Sequence, residues 1–394
     1  MQTRRIRIIA IIVLVLIIIT SFFCWDVNYE RIAEGYYYID EDSRILNQDN
    51  PLIGPGYFSA TGFALYDDIW APDEMLDLNG NHWCFIDDEI VNIKDSNDEG
   101  HYTSCVMSED GEYFITHKGY YNIDFKLEIE IPYDEEKGYF KPNDSEIARS
   151  FSENGLAAVP VASKEGGNKI SWGFIDKTGK FIIAPQYDEV SDFGNSKYAA
   201  VKDKEGLWKY IDSEGHVVSK DYNYAGPFAQ NGLACAIDDD SLTGYINENF
   251  EYVIAPHYKN ARKFGDNGFA RVSEDGKNWG YIDTAGNVVI DYQFLTCEDF
   301  NDGLAPVNVS GKWGYINEMG EFIIEPQFSE AHVFSDNGTA LVKVGGAPNQ
   351  KDDGLYGYIN SDGSWFLKPQ FEMAYDYRNG YASIKLQKNQ KIKK

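Results

Sequence analysis

The stretch Lys312-Trp313-Gly314-Tyr315-Ile316-Asn317-Glu318-Met319-Gly320-Glu321-Phe322-Ile323-Ile324-Glu325-Pro326 decides the fold. Two short apolar runs flank Asn-x-x-Gly, which is the composition of a β-hairpin. The Asn side chain starts a type I turn, and the glycine supplies the positive φ that returns the chain. Before it, Leu304-Ala305-Pro306-Val307-Asn308-Val309 reads as another strand, bounded by Gly303 and Ser310-Gly311. Pro326 closes the third strand, since proline cannot donate to a ladder. Along the middle strand Trp313, Tyr315 and Asn317 share one face, and Gly314 and Ile316 share the other. A glycine beside the Trp admits close approach of another backbone or ring.

The chain repeats this pattern. The anchor position falls at Trp172, Trp208, Thr243, Trp279, Trp313 and Tyr356, in steps of 36, 35, 36, 34 and 43 residues. The glycine recurs as Gly173, Gly244, Gly280, Gly314 and Gly357, with Lys209 in its place in the second copy. The turn recurs at Asp176 with Gly179, Asp212 with Gly215, Asp283 with Gly286 and Asn360 with Gly363. In the Thr243 copy Asn247 keeps its place but Phe250 replaces the glycine, which predicts a distorted turn. Pro185, Pro256 and Pro369 match Pro326, and each is followed two residues later by Tyr or Phe; Tyr292 holds that place in the fourth copy. A further aromatic leads each unit: Phe151, Phe193, Phe228, Phe264, Phe300, Phe334 and Tyr377.

Each unit is therefore predicted as three short strands plus an aromatic-bearing connector. Such a unit cannot bury its apolar face alone, so neighbours must stack. The predicted fold class is all-β, with tandem three-stranded repeats of about 35 residues in an open curved array. A closed β-propeller is the alternative, and its blades usually carry four strands at a longer period of roughly 40–50 residues. The tryptophans are expected to plug the core between units rather than to face a ligand.

The array reaches back in worn form. Phe58-Ser59-Ala60-Thr61-Gly62-Phe63-Ala64-Leu65 copies the segment from Phe334 to Leu341. Trp83-Cys84-Phe85-Ile86-Asp87 and Tyr121-Asn122-Ile123-Asp124 read as worn anchors, and Tyr37-Tyr38-Ile39-Asp40 as the remains of a first. Terminal repeats are expected to be atypical because they cap the array. The expected organisation is a basic N-terminus (1–7), a transmembrane signal anchor (8–25), degenerate repeats or a cap (26–150), the regular array (151–386) and a basic tail (387–394).

Trp-Gly-Tyr-Ile-Asp, the Asp-x-x-Gly turn and the following Pro-x-Tyr resemble the bacterial WG-repeat family, also called WG β-repeat. The match covers Phe151 to about Leu386 well, and Phe58 to Ser150 loosely. The departures are Lys209, Thr243, Tyr356 and Tyr292. The resemblance implies a tandem β-repeat protein, often exported or membrane-anchored, with a binding or interaction role. It implies no catalytic residues, so the motif positions Trp172, Gly173, Trp208, Gly244, Trp279, Gly280, Trp313, Gly314, Tyr356 and Gly357 are structural expectations.

Composition narrows the function classes. Aromatic residues make up 15% of the chain, which suits a pleated, half-buried surface. A formal charge of −28 argues against nucleic acid, whose phosphates are bound by Lys and Arg. Arg4, Arg5 and Arg7 precede an apolar run from Ile8 to Ile19, extended to Trp25. Its 18 residues from Ile8 to Trp25 are just long enough to cross a bilayer. A positive flank keeps the N-terminus inside, so the body is expected to be extracytoplasmic on a single-pass anchor in the cell membrane. Phe23 before Cys24 disfavours lipidation.

Cys84 and Cys105 lie in one region and are candidates for a disulfide, whereas Cys235 and Cys297 sit inside repeats as small buried residues. No clustered ligand set points to a metal, and no cofactor is expected. Acidic runs at Asp40-Glu41-Asp42, Asp134-Glu135-Glu136 and Asp238-Asp239-Asp240 read as solvated loops rather than paired catalytic carboxylates. The expected role is a non-catalytic envelope scaffold for an unknown protein or envelope polymer. A carbohydrate-binding or glycoside-cleaving protein is the alternative.

Overall fold

The computed structural model describes residues 35–40, 56–58, 63–68, 71–77, 82–86, 89–92, 105–133 and 147–386, the last two ranges with short gaps. The proposed anchor, the clusters Asp134-Glu135-Glu136 and Asp239-Asp240, the insert at 346–353 and the tail lie outside these residues. Among the described residues no helix is long and apolar enough to cross a membrane. They are all-β, forming eight sheets of three to five strands and one two-stranded sheet.

The Trp313 unit shows how the sequence builds one sheet. Thr296–Cys297, Leu304–Val309, Lys312–Asn317 and Phe322–Phe328 pair antiparallel in that order. The connector thus adds a two-residue strand to the three expected, and most units are four-stranded. The turn forms as read: the Asn317 side chain accepts the N–H groups of Met319 and Glu321 at 3.0 Å each, and Gly320 takes φ +80°.

The glycine beside the Trp is required for space. A Cβ at Gly314 would lie 2.5 Å from the Ile324 carbonyl oxygen and 2.7 Å from the Pro326 nitrogen. Gly173, Gly244 and Gly357 meet the same atoms of their own third strands, and Gly280 meets the corresponding Ile290 carbonyl oxygen at 2.5 Å. Here the register shifts by a bulge between Trp313 and Tyr315, bringing the two backbones together. In the second copy Lys209 carries a Cβ, and no third strand forms. Residues 217–222 meet the motif strand through isolated bridges at Trp208–Tyr222 and Ile211–Val217 and through hydrogen bonds of Val218 and Ser219 to the Tyr210 backbone. The Lys209 ammonium instead pairs with Asp203 at 2.6 Å and Asp221 at 3.3 Å.

Successive sheets stack through alternate residues of the motif strand. Tyr315 packs forward with Phe334, Ala340 and Ile359 of the Tyr356 unit. Ile316 packs backward with Tyr281, Ile290 and Phe294 of the Trp279 unit. Both faces of this strand are therefore buried, and the cores lie between units rather than within them. The largest fully buried side chains are all tyrosines, among them Tyr120, Tyr210, Tyr245, Tyr281, Tyr315 and Tyr358. The motif tyrosine is thus the plug. Of the anchors expected in that role only Trp172 is buried, while Trp208, Trp279 and Trp313 are half-buried.

The tyrosine also makes a directed bond to the next unit. The hydroxyls of Tyr120, Tyr210, Tyr245, Tyr281, Tyr315 and Tyr358 donate to the carbonyls of Arg149, Gly226, Arg262, Glu298, His332 and Tyr375, all at 2.7–2.8 Å. Each acceptor stands two residues before the connector aromatic, and the rings meet as well, from Tyr245–Phe264 at 4.7 Å to Tyr315–Phe334 at 5.1 Å. Phe174 lacks the hydroxyl. It keeps the ring contact with Phe193 at 5.1 Å, and Arg149 bridges the same two units by donating to the Val190 carbonyl at 3.0 Å.

Two expectations need correction. The Phe250 turn is not distorted: Phe250 takes φ 63°, and Asn247 still accepts from Asn249 and Glu251. The Phe250 ring packs on Tyr198, Tyr210 and Phe228, which offsets the cost of the left-handed conformation. The worn copy at Tyr121 is shifted by three residues. Tyr120 makes the clasp, Gly119 precedes it, and Asn122 makes the turn by accepting from Asp124 and Lys126. Lys118 therefore holds the anchor position.

Cys235 and Cys297 are free and buried, as expected of small core residues. Cys84 and Cys105 fall in different sheets. The Gly35–Asp40 strand pairs antiparallel with Tyr381–Leu386 along its whole length, so the two ends of the described chain share a sheet.

Gly314→Ala is expected to destabilise the protein by about 1–3 kcal/mol through backbone overpacking. Lys209→Ala, where a Cβ is already accommodated, should cost less, about 1 kcal/mol or under from the lost ion pairs. Urea unfolding of the two variants checks the contrast.

Candidate functional site

The connectors differ most at the position two residues before the connector aromatic. It is Arg149, Ser191, Gly226, Arg262, Glu298, His332 and Tyr375 in successive units, and all of these but Ser191 take a tyrosine clasp on the carbonyl. Where it is long it reaches a neighbour or an anchor ring. The Arg149 guanidinium lies 4.8 Å from the centre of the Trp172 ring, and Arg262 lies 5.8 Å from that of Trp279. His332 Nδ1 meets the Asp376 carboxylate at 2.9 Å across the last two connectors. Arg271 binds the next connector through Glu298 and Asp299, each at 2.7 Å.

A cleft of about 740 Å³ opens across the connectors of the Trp172, Trp208, Thr243 and Trp279 units, with Arg149 and Ser191 of this position in its lining. Trp208 and Tyr224 stand edge to face in its wall, 5.7 Å apart, and Tyr224 is 42% exposed. Its rim carries five carboxylates (Glu153, Glu189, Asp192, Glu248 and Asp266) against two cations, Arg149 and Lys263. Glu189 is engaged by Lys202 at 2.7 Å, and Lys202 also lies 5.9 Å from the Trp208 ring centre. The same stretch of chain is where Lys209 and Thr243 break the motif, so the cleft coincides with irregular repeats. A second cavity of about 610 Å³ adjoins it, lined by Glu153, Asn195, Tyr198 and Asp212.

The motif residues are thus separated by role. Gly173, Gly244, Gly280, Gly314 and Gly357 are spacers. Trp172 belongs to the core shared with the Trp208 unit, and Trp279, Trp313 and Tyr356 pack half-buried against the corresponding cores. Trp208 alone lines the larger cleft. The connector residues and Tyr224 carry no repeated signature, so sequence reading passed over them; the sign was their variation against a constant frame. Among the described residues no three His, Cys, Asp or Glu side chains converge to hold a metal. Burial pushes the Cys235 and Cys297 thiols up to about 12, leaving them protonated and unreactive near neutrality. Asp238, the described member of its acidic run, is engaged by Lys220 at 2.9 Å.

The description "WG containing repeat" matches residues 172–208, 210–240, 244–277, 279–313, 313–346 and 356–389. The chain belongs to the WG-repeat family. No curated protein matches the sequence. Among solved structures it is similar to Hsv2 of Kluyvelomyces marxianus, with 12% identity, a TM-score of 0.36, and coverage of 65% of this chain and 90% of that one. It is also similar to BamB from Moraxella catarrhalis, with 9% identity, a TM-score of 0.36, and coverage of 84% and 95%. Likeness at these values carries nothing about function. Within this WG-repeat protein, function has to be sought where the repeats differ.

Burial lowers the His332 pKa, but the Asp376 hydrogen bond and charge, with Glu330 and Glu298, outweigh it and raise it above the ordinary imidazole value. A raised folded-state value stabilises fully below the unfolded pKa and is lost as pH rises through the folded one. Thermal melts should therefore show the parent losing stability over that interval relative to Asp376→Asn, whose profile should be flatter.

Proposed function

We propose that this protein is a non-catalytic binding scaffold, held at the outer face of the cell membrane by residues 8–25, with its repeats closed into a ring. The pairing of Gly35–Asp40 with Tyr381–Leu386 supports closure over an open array, since it joins the two ends that an arc would leave apart. The observation that carries the binding role is the cleft at Trp208 and Tyr224. Its wall is aromatic and its rim holds five carboxylates and two cations. Aromatic faces and carboxylates together suit an extended polypeptide segment bearing Lys or Arg, which would stack on the rings and pair with the rim. The overall charge of −28 would draw such a partner from a distance.

Fluorescence anisotropy with an extended Arg- and Lys-containing peptide tests this. The peptide should bind, more weakly as salt rises, and Tyr224→Ala combined with Glu248→Gln and Asp266→Asn should weaken binding at least tenfold without lowering the melting temperature. Unchanged affinity in that variant, or binding of neutral oligosaccharide in place of the peptide, would refute the reading.

A further inference from the structure

In a complete repeat the motif strand pairs with the strand that follows the connector, always in one register. In the Tyr356 unit Thr339, Ala340, Val342 and Lys343 face Asn360, Ile359, Gly357 and Tyr356. In the Trp313 unit Leu304, Ala305, Val307 and Asn308 face Asn317, Ile316, Gly314 and Trp313 in the same way. After the Tyr356 unit the chain makes one more connector. Tyr377 receives the Tyr358 ring at 5.0 Å, the Tyr375 carbonyl receives its hydroxyl, and Ala374 bridges to Ile384. One more strand follows, Tyr381–Leu386, but residues 387–394 hold no motif copy.

The strand that pairs with it comes from the other end of the chain. Tyr381, Ala382, Ile384 and Lys385 face Asp40, Ile39, Tyr37 and Tyr36. Place for place this is the register of a repeat, with Tyr36 at the anchor, Tyr37 at the glycine, Tyr38 at the clasp tyrosine, Ile39 at the isoleucine and Asp40 at the turn. Packing gives a second, independent sign. Ile39 is fully buried and shares a core with Tyr358, Leu367 and Phe371. Ile359 packs one unit earlier on the corresponding Tyr315, Ile324 and Phe328.

We propose that the edge of the Tyr381–Leu386 strand is a binding site for a WG-type motif strand, and that its occupant is Gly35–Asp40 of the same chain. One repeat is thereby divided between Gly35–Asp40 and Tyr381–Leu386, and this seam joins the ring. The inference deepens the closed-ring reading and is independent of what the cleft binds. Tyr37 stands at the register position of the motif glycine, where the second copy has Lys209, and among the described residues this sheet has two strands. Whatever precedes Gly35, including the proposed anchor, is attached to the ring at this seam.

Cysteine pairs in the full-length chain test the assignment without any ligand. Under mild oxidation Tyr36→Cys with Lys385→Cys should form an intramolecular disulfide, seen as a linked peptide in non-reducing mass spectrometry and a monomer on gels. Tyr36→Cys with Ile384→Cys, one residue out of register and on the opposite face, should give at least tenfold less. Adding Ile39→Asp to the first pair should lower its yield at least tenfold. A disulfide only between chains, equal yields from the two pairs, or no disulfide in the first would overturn the proposal. Peptide binding at the cleft is read separately, so failure of one does not pass for failure of the other.

Discussion

A buried tyrosine hydroxyl, present in every described unit from Tyr120 to Tyr358 except that of Phe174, organises this molecule. The motif tyrosine lays its ring on the aromatic of the next connector and donates its proton to the carbonyl two residues before that aromatic. Such ring pairs are worth roughly 0.5–1.5 kcal/mol beyond their burial, and the net hydrogen bond about 1 kcal/mol. The more decisive term is the penalty for misplacement. A tyrosine hydroxyl or connector carbonyl buried without a partner costs about 1–3 kcal/mol, so a slipped stack is penalised at each junction that carries the clasp. Burial holds these tyrosines uncharged, with pKa values pushed well above the ordinary phenol value. The apolar part of the interface gives adhesion, and the hydroxyl fixes register.

The remaining motif elements serve that contact. The glycine lets the third strand close on the motif strand, and the Asx turn returns the chain at a fixed length. The turn glycine in turn seats on the preceding unit: a Cβ at Gly286 would lie 3.2 Å from Ile254, and one at Gly320 lies 3.3 Å from Ile290. Because the isoleucine faces backward and the tyrosine forward, each strand belongs to two cores. That explains why Thr243 and Tyr356 can replace the tryptophan without loss of the unit. The anchor is a brace, often topped by a cation as at Lys343 over Tyr356, 4.9 Å from its ring centre.

The period, the all-β class, the turns and the glycine's role were legible from sequence because each is a local requirement repeated at constant offsets. The plug was misassigned to Trp, although Tyr210, Tyr245, Tyr281, Tyr315 and Tyr358 recur more faithfully than the tryptophans do. Sequence spacing also placed the Tyr121 copy three residues off, since worn repeats keep the tyrosine and turn while losing the anchor. The pairing between residues 35–40 and 381–386 was the least legible: it leaves no mark in a local pattern, and Tyr37-Tyr38-Ile39-Asp40 read as a worn first repeat with no partner strand named. The cleft was hidden for the opposite reason: lining residues such as Ser191 and Tyr224 vary from unit to unit and show only against a constant frame.

Equilibrium urea unfolding of Tyr315→Phe beside Trp313→Phe tests the central claim most directly. Removing only the clasp hydroxyl should cost about 1 kcal/mol, because the buried His332 carbonyl loses its partner, whereas Trp313→Phe, which keeps an aromatic brace on a half-buried site, should cost less. If Tyr315→Phe were as stable as the parent, or if the tryptophan change were the costlier of the two, the tyrosine clasp would not be what holds the repeats in register.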